Sequence, residues 1–325
     1  MLHERFHYLW RIASAYLSPR RSQLSFWHEV PELNCQSSRS QLGEYYMTFA
    51  AKADYRGHHD SNGIPLLDYC GSIGLRYNPI SIAQWGIGNY NLFARYRRPE
   101  HRRKFLRASD WLLKNLEQNA SGMWVWNHYF DWEYRARLQA PWYSGLAQAQ
   151  GISLLLRTHR EIGSPVFFEA AQKAFLSLTR SIDQGGVTFT DAHGNLWIEE
   201  YIVNPPTHIL NGFMWAMWGV YDYLLVTGDR RAETLFQATL ATLRNNLEDY
   251  DLGFWSLYEQ SNTSLPMVAS PFYHHLHIVQ LRVMHWLTGE ELFLRVADRW
   301  EGYRCSRGKR TRALCHKGAF KLCYY

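Results

Sequence analysis

Three segments of the chain repeat one design at a nearly constant distance: NLEQNASGMWVWNHY around Gly122, SIDQGGVTFTDAHGNLWIEEY around Gly186 and NLEDYDLGFWSLYEQ around Gly253. Each follows a stretch with apolar residues at helical spacing, turns at a glycine, and runs into alternating aromatic and polar residues that suit a short strand or hairpin. The helical stretches fall at 81–97, 103–118, 144–160, 166–181, 210–226, 231–248, 276–287 and 291–303, about eight helices in pairs. Two helices and a Gly-aromatic hairpin, repeated about every 65 residues, predict a mainly α fold. Helical hairpins would close into an (α/α) toroid or barrel, with the short β-hairpins gathered at one end to line a cleft. An open solenoid is the competing arrangement.

This pattern divides the chain into three parts. Residues 1–80 combine an initial amphipathic helix with Ser-rich and Gly/His-rich loop segments that pack on the rest. Residues 81–303 form the toroid. Residues 304–325 are a basic tail, in which Arg304, Arg307, Lys309, Arg310, Arg312, Lys317 and Lys321 occur with no acidic residue. The formal charge of +6 therefore belongs to the tail, and the body is close to neutral, so no nucleic-acid partner is expected. An anionic-polymer contact, a solvated end and a poorly ordered terminus are the three readings of the tail; the last two are favoured, and its loss is expected to leave activity intact.

Composition adds one constraint. Aromatic residues make up 16% of the chain, with 14 Trp and 21 Tyr, many beside Gly, Asn and His. Sugar-binding clefts use aromatic faces in this way, although large helical proteins also bury aromatics in their cores. The five cysteines form no C-x-x-C pair, and no zinc or other metal site is legible. The first residues do not read as a signal peptide, and no uncharged apolar run of 18 residues exists. No membrane span and a cytoplasmic location are expected.

Two regions hold residue types suited to chemistry. In Trp197-Ile198-Glu199-Glu200-Tyr201, strand alternation would place Trp197, Glu199 and Tyr201 on one face. The alternative is a solvated edge strand before a proline turn. Farther on, Tyr258 closes the third repeated segment, and Tyr273-His274-His275-Leu276-His277 begins a helix. His274 and His277 could share a helix face, but without an acidic or thiol partner they suit hydrogen bonding to backbone or substrate better than zinc.

Four stretches, in order, resemble the catalytic C-terminal domain of the D-glucuronyl C5-epimerases: YNPISIAQWG from Tyr77, WYSGLAQAQG from Trp142, EEY at 199–201 with LNGF at 210–213, and Tyr273-His274 with His277 and Gln280-Leu281. The resemblance spans roughly residues 60–303 and implies a compact bacterial-type form without the preceding β-rich domain of the animal enzymes. It implies catalytic roles for Tyr201, Tyr258, Tyr273 and Glu200. Asn211, His274, His277, Trp197, Tyr143 and Gln84 are the implied substrate-binding residues. Family members carry an arginine in the hairpin after the tyrosine matched here by Tyr258, whereas this chain has Glu259, Gln260 and Ser261.

The resemblance implies inversion of C5 in glucuronate residues of an anionic, heparosan-like polysaccharide, giving iduronate. That reaction removes a proton alpha to a carboxylate and redelivers it from the other face, and it needs two proton carriers and no cofactor. A phenol of ordinary pKa is about 0.1% ionised at pH 7, so a neighbouring cation or donor must assist, for which His274, His275 and His277 are the candidates. A polysaccharide lyase, a glycoside hydrolase drawing on Glu199, Glu200, Asp191 or Glu259, and a non-catalytic glycan-binding toroid stay open, as does a homodimer.

Overall fold

The computed structural model describes residue 10 and residues 23–134, 136–261 and 263–324. Two short helices, α1 (Gln23–Trp27) and α2 (Ala50–Ala53), precede four helical hairpins. These pair α3 (Pro79–Tyr96) with α4 (Pro99–Lys114), α5 (Gly145–Ile162) with α6 (Pro165–Leu178), α7 (Leu210–Thr227) with α8 (Arg230–Asn246), and α9 (Pro271–Thr288) with α10 (Glu291–Cys305). All eight periodic stretches are helices. The amphipathic helix expected at the very start lies outside the described residues.

The first helix of each hairpin is buried on nearly every side, and these four pack in sequence, α3 on α5, α5 on α7, α7 on α9. The second helices are amphipathic and form the outer layer. The sequence sets the turn between them. Gly163, Gly228 and Gly289 stop the inner helices in the left-handed conformation, at φ +71°, +62° and +75°. Pro99 and Pro165 then start outer helices at the position where a missing N–H costs nothing.

Residues 23–76 join the first inner helix to the last. Asn91 of α3 accepts from Tyr45 N (2.8 Å) and donates to Met47 O (3.0 Å), while His28 packs on Phe272 of α9 with ring centroids 5.1 Å apart. The Tyr46 hydroxyl donates to Asp222 Oδ1 (2.7 Å), which also pairs with Arg157, Nη1–Oδ2 2.5 Å, so this segment, α5 and α7 share one buried polar network. The result is an (α/α) toroid whose ring is completed by this segment. One apolar cluster runs from Phe26 to Ala313.

The first repeated segment forms a hairpin, Glu117–Gln118 with Trp124–Val125, around Gly122. The second pairs Thr188–Thr190 with Leu196–Ile198 and turns at Gly194, not Gly186. The third makes isolated bridges, Asp251 to Ser256 and Leu257 to Val268. The tail expectation is corrected: Arg307–Tyr324 is a helix, α11, with Ala313 and Phe320 buried. Its inward face was illegible because lysines, whose methylene stems cover apolar surface, fill positions where periodicity seeks aliphatic residues.

Candidate active site

A cavity of about 250 Å³ opens where the inner helices begin. Asn78 and Ile80 reach it from the start of α3, Leu146 from α5, Asn211 and Trp215 from α7, and Ser270, Phe272 and Tyr273 from α9. All four inner helices therefore direct their N-terminal, partially positive ends toward one space. Side chains hold those ends: Asn78 Oδ1 accepts from Ile80 N (2.9 Å) and Ser270 Oγ from Tyr273 N (3.3 Å). Aromatic rings supply most of the remaining wall, which suits the apolar faces of sugar rings.

Tyr201, Tyr258, Tyr273, Glu200 and Asn211 all line this cavity, although they come from four separate stretches of chain. Strand alternation ends at Ile198, so the expected partition of faces fails. Glu199 instead turns to His208, with Nδ1–Oε1 2.5 Å, and consecutive Glu200 and Tyr201 both reach the cavity. Glu200 accepts from Asn211 Nδ2 (3.4 Å) and from the Tyr201 hydroxyl. Its room comes from Gly212: a Cβ there would lie 2.1 Å from Glu200 Oε2.

Among the described residues no cation acts on the Glu200 carboxyl to offset its desolvation, and burial raises its pKa to about 8, with the nearby Glu199 charge adding to the shift. At neutral pH it is chiefly a neutral acid and a donor. Burial, then the negative charge of Glu200, pushes the Tyr258 phenol well above its ordinary value. The rings of Tyr258 and Tyr273 meet edge to face, 4.9 Å between centroids.

The structure does not bring the other implied binding residues to the cavity. His274 is sandwiched behind it, stacked on Trp255 at 3.7 Å and bonded through Nε2 to Trp300 O (3.1 Å). His277 bonds Ser256 Oγ (3.0 Å), and burial lowers the pKa of both rings, His274 to about 4. Off the cavity wall and facing the outer helix layer, these histidines hold the α9 start against the third repeated segment. Trp197 is buried and stacks on His208 at 4.2 Å. The Tyr143 hydroxyl donates to Gly185 O (3.0 Å), and Gln84 lies inside α3 with no hydrogen-bond partner among the described residues.

Sequence reasoning missed Tyr134. It sits on an excursion built from two-residue strands, Asn127–His128 with Trp142–Tyr143 and Trp132–Glu133 with Arg137–Leu138, too short to show periodicity. Its ring lies 4.6 Å from that of Tyr201. Its hydroxyl bonds the buried Glu259 carboxylate and Thr207 Oγ1, the latter at 3.1 Å. Glu259, the residue after Tyr258, thus anchors a cavity tyrosine. Also missed were Lys317, Phe320 and Lys321 of α11, which line the cavity. Among the described residues no group of three or more His, Cys, Asp or Glu side chains could hold a metal ion, and no helix is long and apolar enough to cross a membrane.

Residues 118–302 match the family described as D-glucuronyl C5-epimerase C-terminus. The D-glucuronyl C5-epimerase of Caenorhabditis elegans is 32% identical over 232 residues, 66% of this chain and 37% of that protein. An uncharacterised protein of Methanocaldococcus jannaschii is 27% identical over 179 residues, 54% of this chain and 56% of that protein. The chain thus spans from about a third to just over half the length of these curated relatives. Among solved structures, cellobiose 2-epimerase from Spirochaeta thermophila is similar over 92% of this chain and 70% of that chain, at 11% identity and TM-score 0.47. Unsaturated glucuronyl hydrolase from Bacillus sp. GL1 covers 69% of this chain and 61% of that chain, at 12% identity and TM-score 0.48. The family match takes in more than half of the sequence, including Glu200, Tyr201, Asn211, Tyr258 and Tyr273, and the chain belongs to the D-glucuronyl C5-epimerase family through the C-terminal part that this match describes.

Proposed function

We propose that this protein inverts C5 of D-glucuronate residues in a heparosan-like polysaccharide, giving L-iduronate, with Tyr201 and Tyr273 as the opposed proton carriers. What carries the reading is one cavity that gathers Tyr201, Tyr258 and Tyr273 and a neutral carboxylic acid in a chain of this family. In the proposed reaction one phenolate removes the C5 proton, and the C–H electron pair moves into an enolate-like carboxylate. Reprotonation of C5 from the other face by the second phenol restores the carboxylate with inverted configuration, and the chemistry is redox-neutral. Glu200, protonated, and the Asn211 amide are donors for the oxygens on which charge develops. Tyr258 supports the pair from the edge of Tyr273.

Lyase chemistry would start from the same proton but expel the O4 substituent. Incubation with heparosan in deuterated water separates the outcomes. Deuterium at C5 with both epimers recovered is the expected result; an unsaturated product absorbing in the near ultraviolet identifies a lyase, and no deuterium uptake refutes the epimerase reading.

A further inference from the structure

We propose that Lys317 and Lys321, one turn apart on α11, are the cationic anchor for the uronate carboxylate in this cavity. The identity of the ligand rests on the functional reading above; the positive charge is a feature of the cavity wall itself.

The positions Ala313, Lys317, Phe320 and Lys321 follow helical spacing and share one face of α11. Ala313 and Phe320 bury that face against the toroid, and the two lysines beside Phe320 reach the cavity. Lys317 Nζ donates to Val268 O (2.7 Å) and lies 6.0 Å from the centre of the Tyr258 ring, which fixes the ammonium next to a candidate catalytic phenol. An ammonium has three donors, so the bond to Val268 is compatible with holding a carboxylate as well.

Of the acids among the described lining residues, Glu133 is exposed and Glu200 is held as the neutral acid at pH 7. His28 is the remaining basic group, and its pKa falls to about 4 through burial and then through the charges of Lys52 and Lys321. The cation-bearing side chains of the described wall at neutral pH are therefore Lys317 and Lys321. The residues following Tyr258 are Glu259, Gln260 and Ser261, and Glu259 is engaged with Tyr134. As the C5 proton leaves, negative charge on the carboxylate grows, and a nearby ammonium stabilises that state more than the bound ground state.

The test compares binding of a glucuronate-containing oligosaccharide with that of the same oligosaccharide after reduction of its carboxyl groups to hydroxymethyl groups. Calorimetry on the full chain should show wild-type protein preferring the acidic form by at least about tenfold, the scale of a hydrogen bond to a charged group. The Lys317→Met/Lys321→Met double variant should bring this preference to within about twofold and leave affinity for the neutral form unchanged, which also reports that the cavity is folded. Lys321→Arg should keep most of the preference. If the double variant fails to fold, Lys321→Gln alone decides, with a loss of about threefold or more expected. Retention of the full preference by a folded lysine variant overturns the inference, as does wild-type protein that does not distinguish the two sugars. Carboxylate-dependent binding without C5 deuterium exchange would refute the epimerase reading and leave the lysine anchor standing.

Discussion

Asp222 and Glu200 are two buried carboxyl groups served by the same helix, and they are treated in opposite ways. Asp222 lies eleven residues beyond Asn211 on α7, about 16 Å along the axis. There the Arg157 guanidinium grips it through two nitrogens, at 2.5 and 3.2 Å, and Tyr46 donates a third bond. Glu200, at the N-terminal end, receives an amide and a phenol and, among the described residues, no guanidinium. A buried charge with full pairing holds three parts of the fold in register; a buried acid denied a cation keeps its proton. The difference separates a group held charged by its partners from one that burial keeps protonated.

The largest effect expected from breaking this contrast is at the architectural end. Arg157→Met strands the Asp222 carboxylate and should cost about 3–5 kcal/mol of stability in denaturant unfolding. A loss under 1 kcal/mol would show that Asp222 tolerates isolation as Glu200 does.

Glu200→Gln should act in the reverse sense. The carboxyl has a folded pKa raised to about 8 from an ordinary value of 4.5, so unfolding releases a proton between those values. The stability tied to the protonated form is complete below about pH 4.5 and is lost as the pH rises through about 8. The glutamine variant removes that dependence and should exceed wild type at pH 8 by a margin on the order of 3 kcal/mol, while epimerisation falls. Parallel pH–stability curves for the two proteins would refute the raised pKa.

Tyr201→Phe and Tyr273→Phe delete one phenolic oxygen each and preserve the rings. Each should lower epimerisation about 100-fold or more with unfolding midpoints little changed. A spared base should still exchange the C5 proton of one epimer with solvent. Near-wild-type rates in both variants would remove these tyrosines from the mechanism and leave Glu200 as the leading proton carrier.

The smallest functional effect belongs to the histidines behind the cavity. His274→Gln removes contacts with Ser256, Trp255 and Trp300, and should cost roughly 1–2 kcal/mol of stability. Turnover of the folded protein should stay within about threefold. A 100-fold loss of kcat in a folded protein would return His274 to the chemistry.

What could be read from the sequence follows the length of the structural signal. Inner and outer helices of 14 to 18 residues repeat their apolar spacing several times, and each was recognised. Strand pairs two residues long carry no period, so the excursion bearing Tyr134 was invisible. The residue types at Tyr201, Tyr258, Tyr273 and Glu200 suit chemistry, but only the resemblance gives them catalytic roles. His274 and His277 misled because helical spacing says which residues share a face without saying what that face meets. Lys317 and Lys321 are illegible as site residues because charge in a tail points to solvent, whereas both are half-buried at the cavity wall.

The cavity is walled in part by Leu24, Trp27 and His28, and in part by Lys317, Phe320 and Lys321, almost 300 residues later. Each helical hairpin, by contrast, forms from neighbours in sequence. Local contacts close quickly, and contacts across so long a loop close late because chain entropy opposes them. In refolding, helical circular dichroism should therefore recover before the capacity to bind sugar, and the interval between them is the time the two distant stretches need to find each other.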